Sequence, residues 1–175
     1  SGDYGKLAGL LAGDGRLVER LSEAAYLERT TNPVLARQKL SGCDVALAGV
    51  QDDAMSELFL PALRQRLAWR TGEDRSLWEA RLARTWLARR DYVRAVIYAQ
   101  ESLISGQCPR DRLNEFDARR EAADTLRSER RVRLLFNIRN ALAHGVLPIS
   151  AEVIRALSSE RVMGEVLVQL FDELL

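Results

Sequence analysis

Apolar residues recur along this chain at spacings of three and four, the period of α-helices that turn one face to a core. Leu17, Leu21, Ala24 and Ala25, followed by Leu27 or Glu28, mark a helix that Asp14 can cap and that runs to about Arg29. "TNP" at 31–33 opens the next, with Asn32 as N-cap and Pro33 at the first helical position. That helix carries Leu35, Leu40, Val45 and Leu47 past a weak point at Gly42. Asp52 or Asp53 starts another toward Trp69, interrupted or kinked at Pro61. After a turn at "TGED", 71–74, a stripe follows of Leu77, Trp78, Leu82, Trp86 and Leu87. "RRD" at 89–91 breaks it before "YVRAVIYAQESLI", where Val93, Val96, Ile97 and Leu103 keep helical spacing until "SGQCP" at 105–109.

The stretch from Asp111 to His144 reads as two helices or one bent helix, ended by Gly145 and Pro148. Its core stripe is expected to be Val132, Leu135, Ile138 and Leu142, with Phe136 and Ala143 at the edge. Ser150 caps a short helix, and "VMGEVLVQLFDELL" makes an apolar closing one. No alternating strand pattern competes. The expected fold class is therefore all-α with no β-sheet, a single compact multi-helix domain over 1–175 with no linker to divide it. "LWEARLARTWLARRDYVRAVIYAQESLI" has the shape of a tetratricopeptide helix pair. No second copy stands about 34 residues away, which argues against a solenoid.

Composition narrows the setting. With 175 residues, 47% of them hydrophobic and 29% charged, the chain can bury a real core and lacks the signature of disorder. No uncharged apolar run reaches the roughly 18 residues of a membrane span. The start, "SGDYGKLAGLLAGDG", lacks the basic and apolar regions of a signal peptide. Ser1-Gly2 in place of an initiator Met is expected to be a cloning or protease scar on part of a longer protein. Cys43, Cys108 and a single His make neither a disulfide framework nor a zinc ligand set, so two buried thiols in a reducing cytoplasm and no metal are expected.

The net charge of +1 hides an uneven distribution. Residues 64–94 hold nine Arg against four acids, net +5, and residues 110–139 hold nine Arg against six acids, net +3; the remainder carries −7. Lys6 and Lys39 are the only lysines. A guanidinium grips phosphate at two points where an ammonium is a point charge, so these stretches allow a polyanion-binding face. Mixed-sign helix faces are also ordinary solvated surface.

The one histidine lies in "RNALAHG", residues 139–145. On a helix Asn140 and His144 share a face, along with Arg133, Phe136 and Asn137, and Arg139 lies about 100° around from Asn140. The reach of Arg139, with fraying at Gly145, would bring guanidinium and imidazole to one phosphate. His144 lies off the core stripe, where an imidazole is suited to give or take a proton. The plain alternative is a C-cap that bonds the free carbonyls of the last turn.

"IRNALAHG" resembles the R-x4-H signature of HEPN domains in its form Arg-Asn-x-x-x-His. "WLARRDYVRAVIYAQESLI" and the Arg-rich helix approaching the motif are similar to the HEPN half of CRISPR-associated effectors. The resemblance covers roughly residues 60–150. It implies an all-α, metal-independent endoribonuclease of prokaryotic antiviral defence that acts on single-stranded RNA. His144 would be general acid/base while a ribose 2′-hydroxyl attacks the adjacent phosphorus, giving a 2′,3′-cyclic phosphate and a 5′-hydroxyl. Arg139 would bind the scissile phosphate and stabilise its developing charge, and Asn140 would orient His144 or contact the phosphate. Arg130, Arg131, Arg133 and Asn137 would guide the RNA backbone.

The resemblance further implies a homodimer whose two motifs form one composite site. In such effectors a separate Rossmann-like CARF domain binds an activating cyclic oligoadenylate. This chain has no β-α-β pattern and no Gly-rich nucleotide loop, so any such sensor lies outside it. Two other readings stay open: a non-catalytic helical domain for dimerisation or protein interaction, and a HEPN toxin silenced by a nucleotidyltransferase-like antitoxin.

Overall fold

The structure is a computed structural model that describes residues 4–5, 15–49, 54–145 and 150–175. Among the described residues every regular element is helical, as the apolar spacing predicts. The helices gather into two compact units, Ser1–Thr71 and Gly72–Leu175.

In the first unit, α1 (Gly15–Arg29) buries Leu17, Leu21, Ala24, Ala25 and Glu28 and packs on α2 (Pro33–Lys39). Pro33 takes the first helical position, but Asn32 does not cap; its amide donates to the Thr30 carbonyl at 3.0 Å. Gly42, with φ +78°, divides the helix expected beyond Pro33 into α2 and α3 (Cys43–Ala48). Glycine makes that left-handed turn without the clash a Cβ would bring. Leu40 and Leu47 are buried as expected, whereas Leu35 and Val45 are exposed. The next helix, α4 (Ala54–Leu67), runs through Pro61 without a break and ends in a 3-10 turn, Ala68–Arg70. The expected caps Asp14, Asp52 and Asp53 lie outside the described residues. Glu28 is buried with Arg66, whose Nη2 donates to Oε1 at 2.6 Å. Losing either ion would leave the other's charge buried without this pairing.

The second unit begins with a helix pair, α5 (Arg75–Ala88) and α6 (Tyr92–Gln107). Asp74 caps α5 by accepting from the Ser76 amide at 2.9 Å and hydroxyl at 2.7 Å, bonds that hold its carboxyl below the ordinary carboxylate range. Asp91 caps α6 through the Arg94 amide at 3.1 Å. The buried face of α5 centres on Trp78, Leu82 and Trp86; Leu77, expected there, is exposed, as is Val93 on α6. Then come α7 (Phe116–Leu126), α8 (Arg130–His144), α9 (Ala151–Ala156) and α10 (Glu160–Leu174). Of the two expectations for the Arg-rich stretch, two separate helices form. Ser150 stands at the start of α9 without a side-chain cap bond, while Ser159 caps α10 through the Val162 amide at 3.3 Å.

α6 packs against α5, α7, α8 and α10. Ile104 and Cys108 at its end meet Ala118 and Ala122 of α7 and Val132 and Phe136 of α8 in one apolar cluster. A polar network lies beside this core. Glu79, fully buried, accepts from Arg75 Nε at 2.8 Å and from the Ser105 hydroxyl at 2.6 Å. Arg119 donates to that hydroxyl at 3.3 Å and to Glu101 at 2.5 Å. Arg75 and Arg119 both donate to the Leu113 carbonyl, at 3.3 and 3.0 Å, which fixes the connection from α6 to α7.

Burial pushes the Glu79 carboxyl above its ordinary value of 4.5, with Arg75 and Ser105 opposing it. A raised carboxyl favours folding while it is protonated. Its contribution is full below 4.5 and is lost as pH rises through the folded-state value. Glu79→Gln removes this dependence. The stability deficit of the variant should therefore shrink as the pH rises, measured by urea unfolding of both proteins from about pH 4 to 8. Parallel stability curves would contradict the buried, raised carboxyl.

Candidate active site

α8 turns Val132, Leu134, Leu135, Phe136 and Ile138 to the core. Leu134 joins the expected stripe, Leu142 is only partly buried and Ala143 is exposed. Phe136, also read onto the face of His144, is 2% exposed inside the apolar cluster. The exposed stripe holds Arg130, Arg133, Asn137, Asn140 and His144, and steps of three and four residues keep them on one face. The helix stops at Gly145, whose φ of +62° is left-handed and whose amide bonds the Ala141 carbonyl at 3.0 Å. This turn closes the helix directly after His144.

The three residues of the motif come together there. Arg139 Nη1 donates to Asn140 Oδ1 at 3.1 Å and lies 3.4 Å from His144 Nε2. A guanidinium only donates, so the second contact is a hydrogen bond when Nε2 carries no proton. The Asn140 oxygen thus faces Arg139 and positions the guanidinium. Both partners of Arg139 are side chains without a carboxylate, so its charge is left for an anion approaching the exposed helix end.

Arg139 does not sit on the exposed stripe. It follows Val132 by seven residues and Leu135 by four, which places it in the core row. Arg139 is partly buried, whereas Asn140 and His144 are exposed. An arginine in a core row is a signal already present in the sequence, since its stem must be packed and its head must find a partner.

The other expected RNA contacts divide differently. Arg130 is ion-paired with Glu152. Arg131 grips Glu173 at two points, 2.7 Å from Nε and 2.9 Å from Nη2. Arg133 donates only to the Arg127 carbonyl at 3.3 Å, and Asn137 is exposed. Sequence reasoning missed Glu152 and Glu173, which stand 22 and 42 residues beyond their arginines. Helical spacing carries no information at that range.

Away from the motif, a concavity of about 580 Å³ in this unit is lined by Arg84, Arg90, Tyr92, Glu160, Arg161 and Val168 among others. Its cations are matched by acids, Arg84 with Asp172, Arg90 with Glu160 and Arg161 with Glu165, so it presents little unbalanced charge. Among the described residues no three His, Cys, Asp or Glu side chains gather as a metal site, and no helix is long and apolar enough to cross a membrane. Cys43 and Cys108 are free and buried.

Gly145→Ala forces a Cβ into the left-handed region and should cost about 1 kcal/mol. Urea unfolding measures it, and an unchanged midpoint would show that the last turn does not depend on glycine. Comparison of the chain with protein-family models, curated proteins and solved structures finds no match.

Proposed function

We propose that the end of α8 is half of the active site of a metal-independent endoribonuclease of the HEPN type. It acts on single-stranded RNA, as a homodimer, in a cytoplasmic antiviral defence effector of the CRISPR kind. The observation that carries this reading is the meeting of Arg139, Asn140 and His144 at an exposed helix end, with an imidazole nitrogen beside a guanidinium that no carboxylate pairs.

The chemistry follows from those groups. His144 Nε2 takes the proton of a ribose 2′-hydroxyl as its oxygen attacks the neighbouring phosphorus. The bond from phosphorus to the 5′-oxygen breaks, and that oxygen leaves with a proton from the second copy's His144, which enters the step as imidazolium and ends it neutral. A 2′,3′-cyclic phosphate and a 5′-hydroxyl result. Arg139 faces the phosphoryl oxygens, where negative charge grows in the transition state. Asn140 keeps the guanidinium in place through its 3.1 Å bond.

Cleavage of a fluorescent single-stranded RNA in EDTA is the test. Wild-type protein should cut with a cyclic-phosphate product, and His144→Ala should lose about 100-fold or more, the scale of general acid–base catalysis. Equal cleavage by both proteins removes His144 from the mechanism. Asn140→Asp gives a second readout. The new carboxylate would pair with Arg139 and oppose the phosphate, lowering cleavage by roughly tenfold or more, the scale of one charge-assisted hydrogen bond. Unchanged activity in that variant would mean that Arg139 does not engage the phosphate.

A further inference from the structure

Arginines along α8 extend well beyond the motif, and they are not equivalent. From Arg130 to His144 the helix spans about 21 Å. At its beginning, both arginines are occupied by carboxylates that arrive from other helices. Glu152 of α9 pairs with Arg130. Glu173 of α10 takes Arg131 in a two-point grip and is itself steadied by Gln169, whose amide donates to Oε1 at 2.9 Å. Nearer the motif, Arg133 touches a backbone carbonyl and Arg139 touches Asn140 and His144. No carboxylate takes part in either set of contacts.

A carboxylate and a phosphate present the same pair of oxygens to a guanidinium. Whatever polyanion lies along α8 must therefore displace Glu152 and Glu173 to use Arg130 and Arg131, whereas Arg133 and Arg139 accept it directly. Resting on the nuclease reading above, we infer that Glu152 and Glu173 are intramolecular phosphate mimics that confine the single-stranded RNA backbone to Arg133 and Arg139. The contact surface then shrinks to the part of α8 from Arg133 to His144, about 17 Å of helix. Two consequences follow. The site holds RNA weakly and with a shallow salt dependence, and removing the acids lengthens the track by two arginines.

Counter-ion release supplies the readout, because each phosphate contact to a single strand adds about 0.7 to the slope of log affinity against log salt. The probe is a fluorescein-labelled 2′-O-methyl oligouridine, which lacks the attacking hydroxyl, followed by anisotropy across a potassium chloride series. Glu152→Gln with Glu173→Gln should bind several-fold more tightly at low salt, with a slope steeper than wild type by about 1.4, two contacts' worth. Arg133→Gln should flatten the wild-type slope by about 0.7. The charge-neutral pair Arg130→Gln with Glu152→Gln should keep the wild-type slope. A thermal melt of each variant checks that these surface changes leave the fold intact.

Two results overturn the inference while leaving the nuclease reading in place: an unchanged slope in the double glutamine variant, or a flatter slope in the charge-neutral pair. The second would mean that Arg130 already holds phosphate in the wild-type protein. His144-dependent cleavage of ordinary RNA, measured in parallel, keeps the two claims separate. Failure of every protein to bind the oligouridine, together with no cleavage, removes the RNA reading and this inference with it.

Discussion

α6 is enclosed over most of its circumference, and the second unit is arranged around that constraint. Ala95, Val96, Tyr98, Ala99, Ser102, Ile104 and Ser105 are all buried, and at 100° per residue they point to nearly every side. α5, α7, α8 and α10 surround it. The hydroxyls buried on such a helix cannot turn to water, so each needs a partner inside the protein. Ser102 donates to the Ser76 carbonyl at 2.8 Å, and Ser105 donates to Glu79. Glu79 in turn requires Arg75, and Arg119 ties Ser105 and Glu101 to the Leu113 carbonyl. Enclosing one helix thereby fixes where α7 starts and, through the cluster of Ile104, Cys108, Val132 and Phe136, where α8 lies.

The helices, and the turns at 71–74, 89–91 and 145, were legible because they rest on local chemistry. Capping aspartates, glycine at positive φ and three-four spacing each act within one turn of the chain. The faces of α5 and α6 were less legible. Large apolar residues dominate a reading by pattern, so Leu77 and Val93 are expected inside, yet they are exposed. Ala95, Ala99 and Ser102 are buried because small side chains let a neighbouring helix come close, and nothing in their own hydrophobicity announces it. Asn32 shows the limit of cap rules, since its side chain donates from Nδ2 to the Thr30 carbonyl at 3.0 Å while its oxygen accepts no helix N–H. The motif residues were legible as a group. The acids on Arg130 and Arg131 were not, because they belong to helices brought in by tertiary packing.

The candidate site lies where the core of the second unit runs out along α8. Val132, Leu135 and Ile138 are fully covered, Leu142 is only partly so and Ala143 is exposed. Arg139 stands in the row of Val132 and Leu135 at this boundary. Its aliphatic stem continues the packed face, while its charged head passes the edge of the core to meet water, Asn140 and His144. One helix thereby supplies a fixed base for the side chain and an open place for the anion it would bind.

The five-residue separation between Arg139 and His144 matters for the same reason. At a separation of four, arginine and histidine would stack on one solvated face, and the long arginine side chain would sample many rotamers before meeting an anion. At five they start about 140° apart around the helix. The arginine then leaves from the packed side and has to curl toward the imidazole, which removes much of its freedom before any ligand arrives. Less entropy would then be lost on binding an anion, and more of the interaction would remain as affinity. Asn140 adds to this by holding the guanidinium at 3.1 Å without neutralising it. A carboxylate at that position would orient the head equally well but cancel its charge, whereas the amide leaves that charge open to an anion.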